Sequence, residues 1–201
     1  MATAAVLTGL ALALGACDDG GGDAEPPEPT PQPPPPETIH RVPDLPDRWE
    51  VHVNRAAGFA FGLPPGWRAR DRGIQTLVRS FDRLTAVSIV PDRTVDAIEL
   101  PLDDFAGRAF AALGGFAGQL EPAAKRPIAH RYRAVELRTT ATADETGIRQ
   151  RVRLIVIRRG RQVTFTVVIA SNVDGGRASE RIAERTVRTL RSRPVGPAPS
   201  P

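Results

Sequence analysis

Three long runs, residues 131–142, 148–158 and 162–170, carry apolar side chains at every second position: Val135 and Leu137, then Val152, Leu154 and Val156, then Val163, Phe165 and Val167. A period of two puts every second side chain on the same face of an extended chain, so each run predicts a β-strand. The turns between them set the register. A four-residue loop at 144–147 would pair Leu137 with Leu154 and Val135 with Val156. A two-residue loop at Arg159-Gly160 would pair Val156 with Val163, Leu154 with Phe165 and Val152 with Val167. Together these turns predict an antiparallel meander with one apolar face: Val135, Leu137, Val152, Leu154, Val156, Val163, Phe165 and Val167.

Shorter elements precede it. Phe59, Phe61 and Leu63 alternate over 58–63 until Pro64-Pro65-Gly66 breaks the strand before Trp67. Residues 74–81 and 85–91 predict two more strands, joined by Asp82-Arg83-Leu84. From 102 to 113 the period becomes helical, with Leu102, Phe105, Ala109 and Leu113 on one side. Pro101 stands at the start, Asp103 and Asp104 fill the first turn, and Gly114-Gly115 ends the helix. A second amphipathic helix is expected over about 179–191, with Ser179 as N-cap and Ile182, Thr186, Val187 and Leu190 as its apolar stripe. Strands, helix, strands, helix make an α+β domain with a mainly antiparallel sheet flanked by helices.

The N-terminus follows no such pattern. Residues 1–16 carry no charge and form an apolar run too short to span a bilayer but suited to a signal-peptide core. The run ends in Leu14-Gly15-Ala16-Cys17, which resembles the bacterial lipoprotein lipobox. That resemblance implies cleavage before Cys17, a diacylglycerol thioether on its sulfur, and a protein held to a membrane from outside the cytoplasm. Signal peptides carry a basic segment before the apolar core, and none is present here. Translation is therefore expected to start upstream of Met1; a native N-terminal peptide beginning at Met1 would refute this. Residues 18–47 hold ten prolines and eight acidic residues against Arg41 alone. Such a segment cannot bury enough apolar surface to offset its ordering entropy. The expected organisation is a signal peptide at 1–16, a lipidated cysteine and disordered acidic linker at 17–47, a folded domain at 48–193 and a disordered tail at 194–201.

Composition narrows the chemistry. Of 201 residues, 26 are Arg and one, Lys125, is Lys, a skew that a GC-rich genome produces. Within 48–193 the 26 basic residues exceed the 15 acidic ones by 11, so a basic domain sits behind an acidic linker. A single cysteine excludes an intramolecular disulfide and a multi-thiolate zinc site. His40, His52 and His130 are far apart in the sequence, and no nucleophile-elbow, phosphate-loop, dinucleotide, zincin or calcium-loop motif occurs. Asp103 and Asp104, being adjacent on a helix, point in different directions and suit its N-terminus better than paired acid–base work. Neither cofactor nor metal is expected, and no catalytic residue is assigned.

Gly58-Phe59-Ala60-Phe61-Gly62-Leu63-Pro64-Pro65-Gly66-Trp67 resembles the strand and P-x-G-W opening of the PsbP-like fold. That fold includes the photosystem II extrinsic subunit PsbP, a Ran-binding nuclear-transport factor and bacterial lipoproteins of the LpqN type. The order of elements agrees over about 58–191. The resemblance implies an α/β/α sandwich used as a binding or assembly module, with no shared catalytic residues.

The meander's second face supplies the candidate site. In the predicted register Arg138 lies opposite Arg153, Thr140 opposite Arg151, and Glu136 opposite Ile155. Directly opposed like charges are unfavourable on a sheet. An anion between them, or Glu136, would relieve the repulsion. Arg138, Arg151 and Arg153, with Arg158, Arg159 and Arg161 at the hairpin tip, are therefore the candidate face for an anionic partner: an envelope protein, an anionic polymer or a lipid headgroup. The competing reading is a solvated basic face, or one partly covered by a helix. Nucleic acid is a poor fit, because no aromatics interleave with the basic strand and the expected location is outside the cytoplasm. Two other functions stay open: a lipid- or glycolipid-handling accessory protein with a groove for acyl chains, and a hydrolase joining His52 or His130 to a serine and a carboxylate.

Overall fold

The computed structural model describes residues 45–192, apart from 119, 123 and 129. The expected signal peptide and lipobox, Cys17, most of the expected linker, His40 and the expected tail lie outside the described residues. The chain runs β1 (Glu50–Asn54), β2 (Phe59–Leu63), β3 (Arg68–Arg72), β4 (Gln75–Arg79), β5 (Thr85–Asp92), α1 (Val95–Glu99) and α2 (Leu102–Ala111). It continues with β6 (Ala124–Pro127), β7 (Arg133–Thr142), β8 (Arg149–Arg159), β9 (Val163–Asn172), α3 (Arg177–Arg188) and β10 (Arg191–Ser192). Strands β3-β4-β5-β9-β8-β7-β6 form one antiparallel sheet and β1-β2-β10 a smaller one.

The large sheet is buried on both faces at its centre. On one face α2 lays Leu102, Ala106 and Phe110 over Val135, Leu137, Leu154 and Val156. On the other, Ile155, Ile157, Phe165, Val167 and Ile169 meet Phe59 and Phe61 of the small sheet and Ala183 and Val187 of α3. Phe59 and Phe165 pack edge to face, 5.7 Å between ring centres. The P-x-G-W opening is a tight turn: Trp67 N–H donates to the Pro64 carbonyl at 3.1 Å, and Gly66 takes φ +75°. Proline before a positive-φ glycine is the pattern of a type II turn. It turns Trp67 back into the core, where it is 7% exposed.

The β7–β8 register is the predicted one, Leu137 facing Leu154 and Arg138 facing Arg153. The β8–β9 register is not. Arg159 pairs with Val163 across a three-residue loop, closed by Gln162 N–H donating to the Arg159 carbonyl at 3.2 Å, with Gly160 at φ +51°. Ile157 therefore faces Phe165, and Ile155 faces Val167. The offset of three is odd, so Val163, Phe165 and Val167 move to the α3 face, opposite Val152, Leu154 and Val156. Both faces are covered, so these side chains are still buried, against the small sheet and α3. The last helix also begins earlier than predicted. Its N-cap is Gly176, not Ser179. Ser179 is buried, its hydroxyl donating to the Gly176 carbonyl and bonding Thr85, which in turn bonds Ser171. This hydroxyl chain fastens α3 to β5 and β9.

Candidate functional site

Helix α3 crosses the face that carries Arg138, Arg151 and Arg153, and brings Glu180 and Glu184 onto it. Glu136, on the same face of β7, is fully buried, and Arg126, Arg138 and Arg153 surround it. Arg126 Nε donates to Glu136 Oε2 at 2.8 Å, Arg138 Nη2 lies 2.9 Å from the same oxygen, and Arg153 Nε donates to Oε1. Arg153 Nη1 also reaches Glu180 at 3.4 Å and Glu184 at 3.5 Å. Arg151 Nε donates to Glu180 at 2.8 Å, and its other nitrogens donate to the Val173 and Asn172 carbonyls.

Burial by itself would push the Glu136 carboxyl up. The hydrogen bonds from Arg138 and Arg126 and the charge of Arg153 outweigh it and hold the group below its ordinary value. Burial likewise works against the Arg153 charge, and Glu136 more than restores it. The pair is therefore ionised. The Arg138–Arg153 opposition is relieved from within, by Glu136, and the structure brings all three predicted arginines into one network. Arg153 is enclosed, while Arg138 keeps 36% of its side chain exposed.

Beside the network lies a pocket of about 210 Å³ between β6, the sheet and α3. Pro127, Ile128, Ile155 and Val187 give it an apolar lining, and Arg126, Arg153, Glu184, Arg188 and His130 a polar one. Arg126 and Arg188 are its outward-facing cations, each more than half exposed. His130 Nδ1 accepts from Tyr132 N–H at 3.1 Å, which leaves Nε2 to donate to the Val187 carbonyl at 3.3 Å. Burial first, and then Arg191, Arg131 and Arg188, hold its pKa below the ordinary imidazole value against the Val187 bond.

The hairpin-tip arginines have separate tasks. Arg158 donates to the Leu100 carbonyl and Thr164, Arg159 to Ser192, and Arg161 to Glu99. His52 bonds Asp71 at 3.0 Å and packs on Phe61, and Thr76 shares that carboxylate. Asp103 pairs with Lys125 at 3.1 Å. Among the described residues, no three His, Cys, Asp or Glu side chains gather as a metal site, and no helix is long and apolar enough to cross a membrane. Sequence reasoning missed Arg126, Glu180, Glu184 and Arg188. The four-residue spacing of Glu180 and Glu184 puts them on one helix face, but which sheet residues that face would meet was not written in it.

These elements define an α+β fold of the PsbP and Mog1 type. Cyanobacterial PsbP (CyanoP) from Synechocystis sp. PCC 6803 superposes with a TM-score of 0.54 at 14% identity, over 72% of this chain and 92% of that one. The Ran-binding protein Mog1p of Saccharomyces cerevisiae gives 0.50 at 12%, over 72% and 95%. A Bacteroides thetaiotaomicron VPI-5482 protein gives 0.52 at 14% over 71% of this chain, which spans about half (48%) of that protein. No protein-family model and no curated protein sequence matches the chain.

Proposed function

We propose that this chain is a non-catalytic binding module, anchored through Cys17 on the outer side of a membrane, that receives an anionic group of a partner at the pocket beside α3. The pocket carries the reading. An apolar floor of Ile128, Ile155 and Val187 lies below Arg126 and Arg188, with Arg153 behind. Glu136 takes one side of Arg126 and Arg153, and Glu184 pairs with Arg188 at 3.0 Å, so the outward faces of Arg126 and Arg188, each more than half exposed, are what the pocket offers an anion. Guanidinium groups grip phosphate and carboxylate oxygens in pairs. Arg138 extends the cationic rim past Glu136, while Arg151 and Arg153 hold α3 in place as its wall. The volume falls below the roughly 300 Å³ at which sites for drug-sized ligands begin. It suits a headgroup or an acidic side chain of a protein rather than acyl chains, which weighs against a lipid carrier.

Both ring nitrogens of His130 are committed to backbone groups, so the histidine serves the pocket's shape and not proton transfer. The use of this fold for protein binding has a precedent in the Ran-binding yeast protein. Titration of the full chain with glycerol 3-phosphate and with a hexaglutamate peptide, followed by NMR of the arginine Nε–H groups, tests the site. Binding should perturb Arg126, Arg153 and Arg188, and weaken at least tenfold in Arg126→Gln/Arg188→Gln. Equal binding by that variant would refute the site.

A further inference from the structure

Three arginine pairs face one another directly across strands of the large sheet: Arg138 with Arg153, Arg133 with Arg158, and Arg68 with Arg79. The first is neutralised by Glu136. In the second, Arg158 is held by the Leu100 carbonyl and Thr164. The third has no such relief: neither Arg68 nor Arg79 has an acidic partner among the described residues. Arg70 and Arg72 follow at alternate positions of β3, on the same face, exposed and likewise without an acidic partner. The nearest carboxylates are spent elsewhere. Asp71 points to the opposite face, where it bonds His52 and Thr76. Asp82 accepts from the Ser80 hydroxyl and Leu84 N–H within its own turn.

This cationic ladder lies on the same face of the sheet as α2. That helix covers β7 and β8 and leaves Ala86 of β5 exposed. Two apolar side chains bracket the ladder in the turns at either end of β4: Ile74, 53% exposed, and Phe81, 81% exposed. Arginines that have no carboxylate, flanked by exposed apolar tips, match a lipid–water interface. There phosphate takes the guanidinium and the aromatic ring enters the headgroup layer. An acidic protein would satisfy the charges but leave Phe81 unexplained.

We infer that the outer face of β3-β4-β5, with Arg68, Arg70, Arg72, Arg79 and Phe81, docks the domain onto an anionic phospholipid surface. Such a patch adds a second, reversible contact to a single anchor and fixes which side of the domain faces the membrane. The inference does not depend on the pocket beside α3.

The test uses the full chain as Cys17→Ser, with vesicles of phosphatidylcholine alone or containing phosphatidylglycerol. The apolar run at 1–16 is common to every sample, so the readout is the difference between the two vesicle types. The wild-type ladder should favour the anionic vesicles, with the preference fading at high salt. At about fivefold per arginine, Arg68→Gln/Arg79→Gln should lower that preference roughly 25-fold. Arg68→Lys/Arg79→Lys should retain most of it, which guards against a variant that merely misfolds. Phe81→Ala should weaken binding about tenfold without changing its salt dependence. Equal binding to both vesicle types would overturn the inference. So would a preference lost in Arg126→Gln/Arg188→Gln and kept in Arg68→Gln/Arg79→Gln, or binding to soluble polyphosphate with none to vesicles.

Discussion

Replacing Glu136 with Gln keeps the shape of the side chain and removes the one buried negative charge that three arginines share. Arg153, 6% exposed, then keeps only its longer contacts to Glu180 and Glu184 and faces Arg138 directly. Breaking a buried ion pair from one side costs about 3–5 kcal/mol. In a domain of this size that is a fall in Tm of roughly 10 °C. Removing both charges, as in Glu136→Leu/Arg153→Met, should return most of the loss, because an apolar pair of similar volume has no desolvation to offset. The pH dependence gives a second readout. The Glu136 carboxyl is held below its ordinary value of 4.5, so its contribution is complete above that pH and declines as pH falls below it through the folded value. Glu136→Gln should lack that acid-side decline. Calorimetric melts between pH 3 and 7 measure both effects. A single-variant cost under about 1 kcal/mol, or a double variant less stable than either single, would refute the account of the network.

Three other outcomes follow from the same contacts. Thr189→Val removes the hydroxyl that accepts from buried Gly62 N–H at 2.7 Å, and should cost about 1–3 kcal/mol in urea unfolding. Gly62→Ala would set its methyl 2.3 Å from Leu45 Cδ2 and 3.0 Å from Trp49, so a loss of about 1–3 kcal/mol and a changed tryptophan emission are expected. His130 is held below its ordinary 6.5, which makes its neutral form the one the fold prefers. Stability should decline as pH falls below 6.5, and His130→Gln should flatten that part of a Tm profile.

How much of this was legible varied with the physics of each element. The β7–β8 register followed from the 144–147 turn and from alternation in β7. The β8–β9 register did not, because Leu154-Ile155-Val156-Ile157 is an unbroken apolar run. Alternation chooses a face only when one face is wet, and β8 is covered on both. Strand β3, Arg68-Ala69-Arg70-Asp71-Arg72, has no apolar period; it is an exposed edge held by its ladder to β4. Strand β6 ends in Pro127 at the other edge, where a missing N–H is tolerated. In the site, the opposition of Arg138 and Arg153 and the place of Glu136 could be read from one register. The contributions of Glu180, Glu184 and Arg126 depend on how a helix and an edge strand pack, which no local pattern encodes.

The central claim is that this domain works as a binding module tethered by lipid on Cys17. Mass spectrometry of the protein extracted gently from its native membrane, beside a Cys17→Ser form, tests it most directly. The account predicts a chain that begins at Cys17 and carries a diacylglycerol-sized mass, absent from the variant. A chain cleaved elsewhere, with an unmodified Cys17, would contradict it.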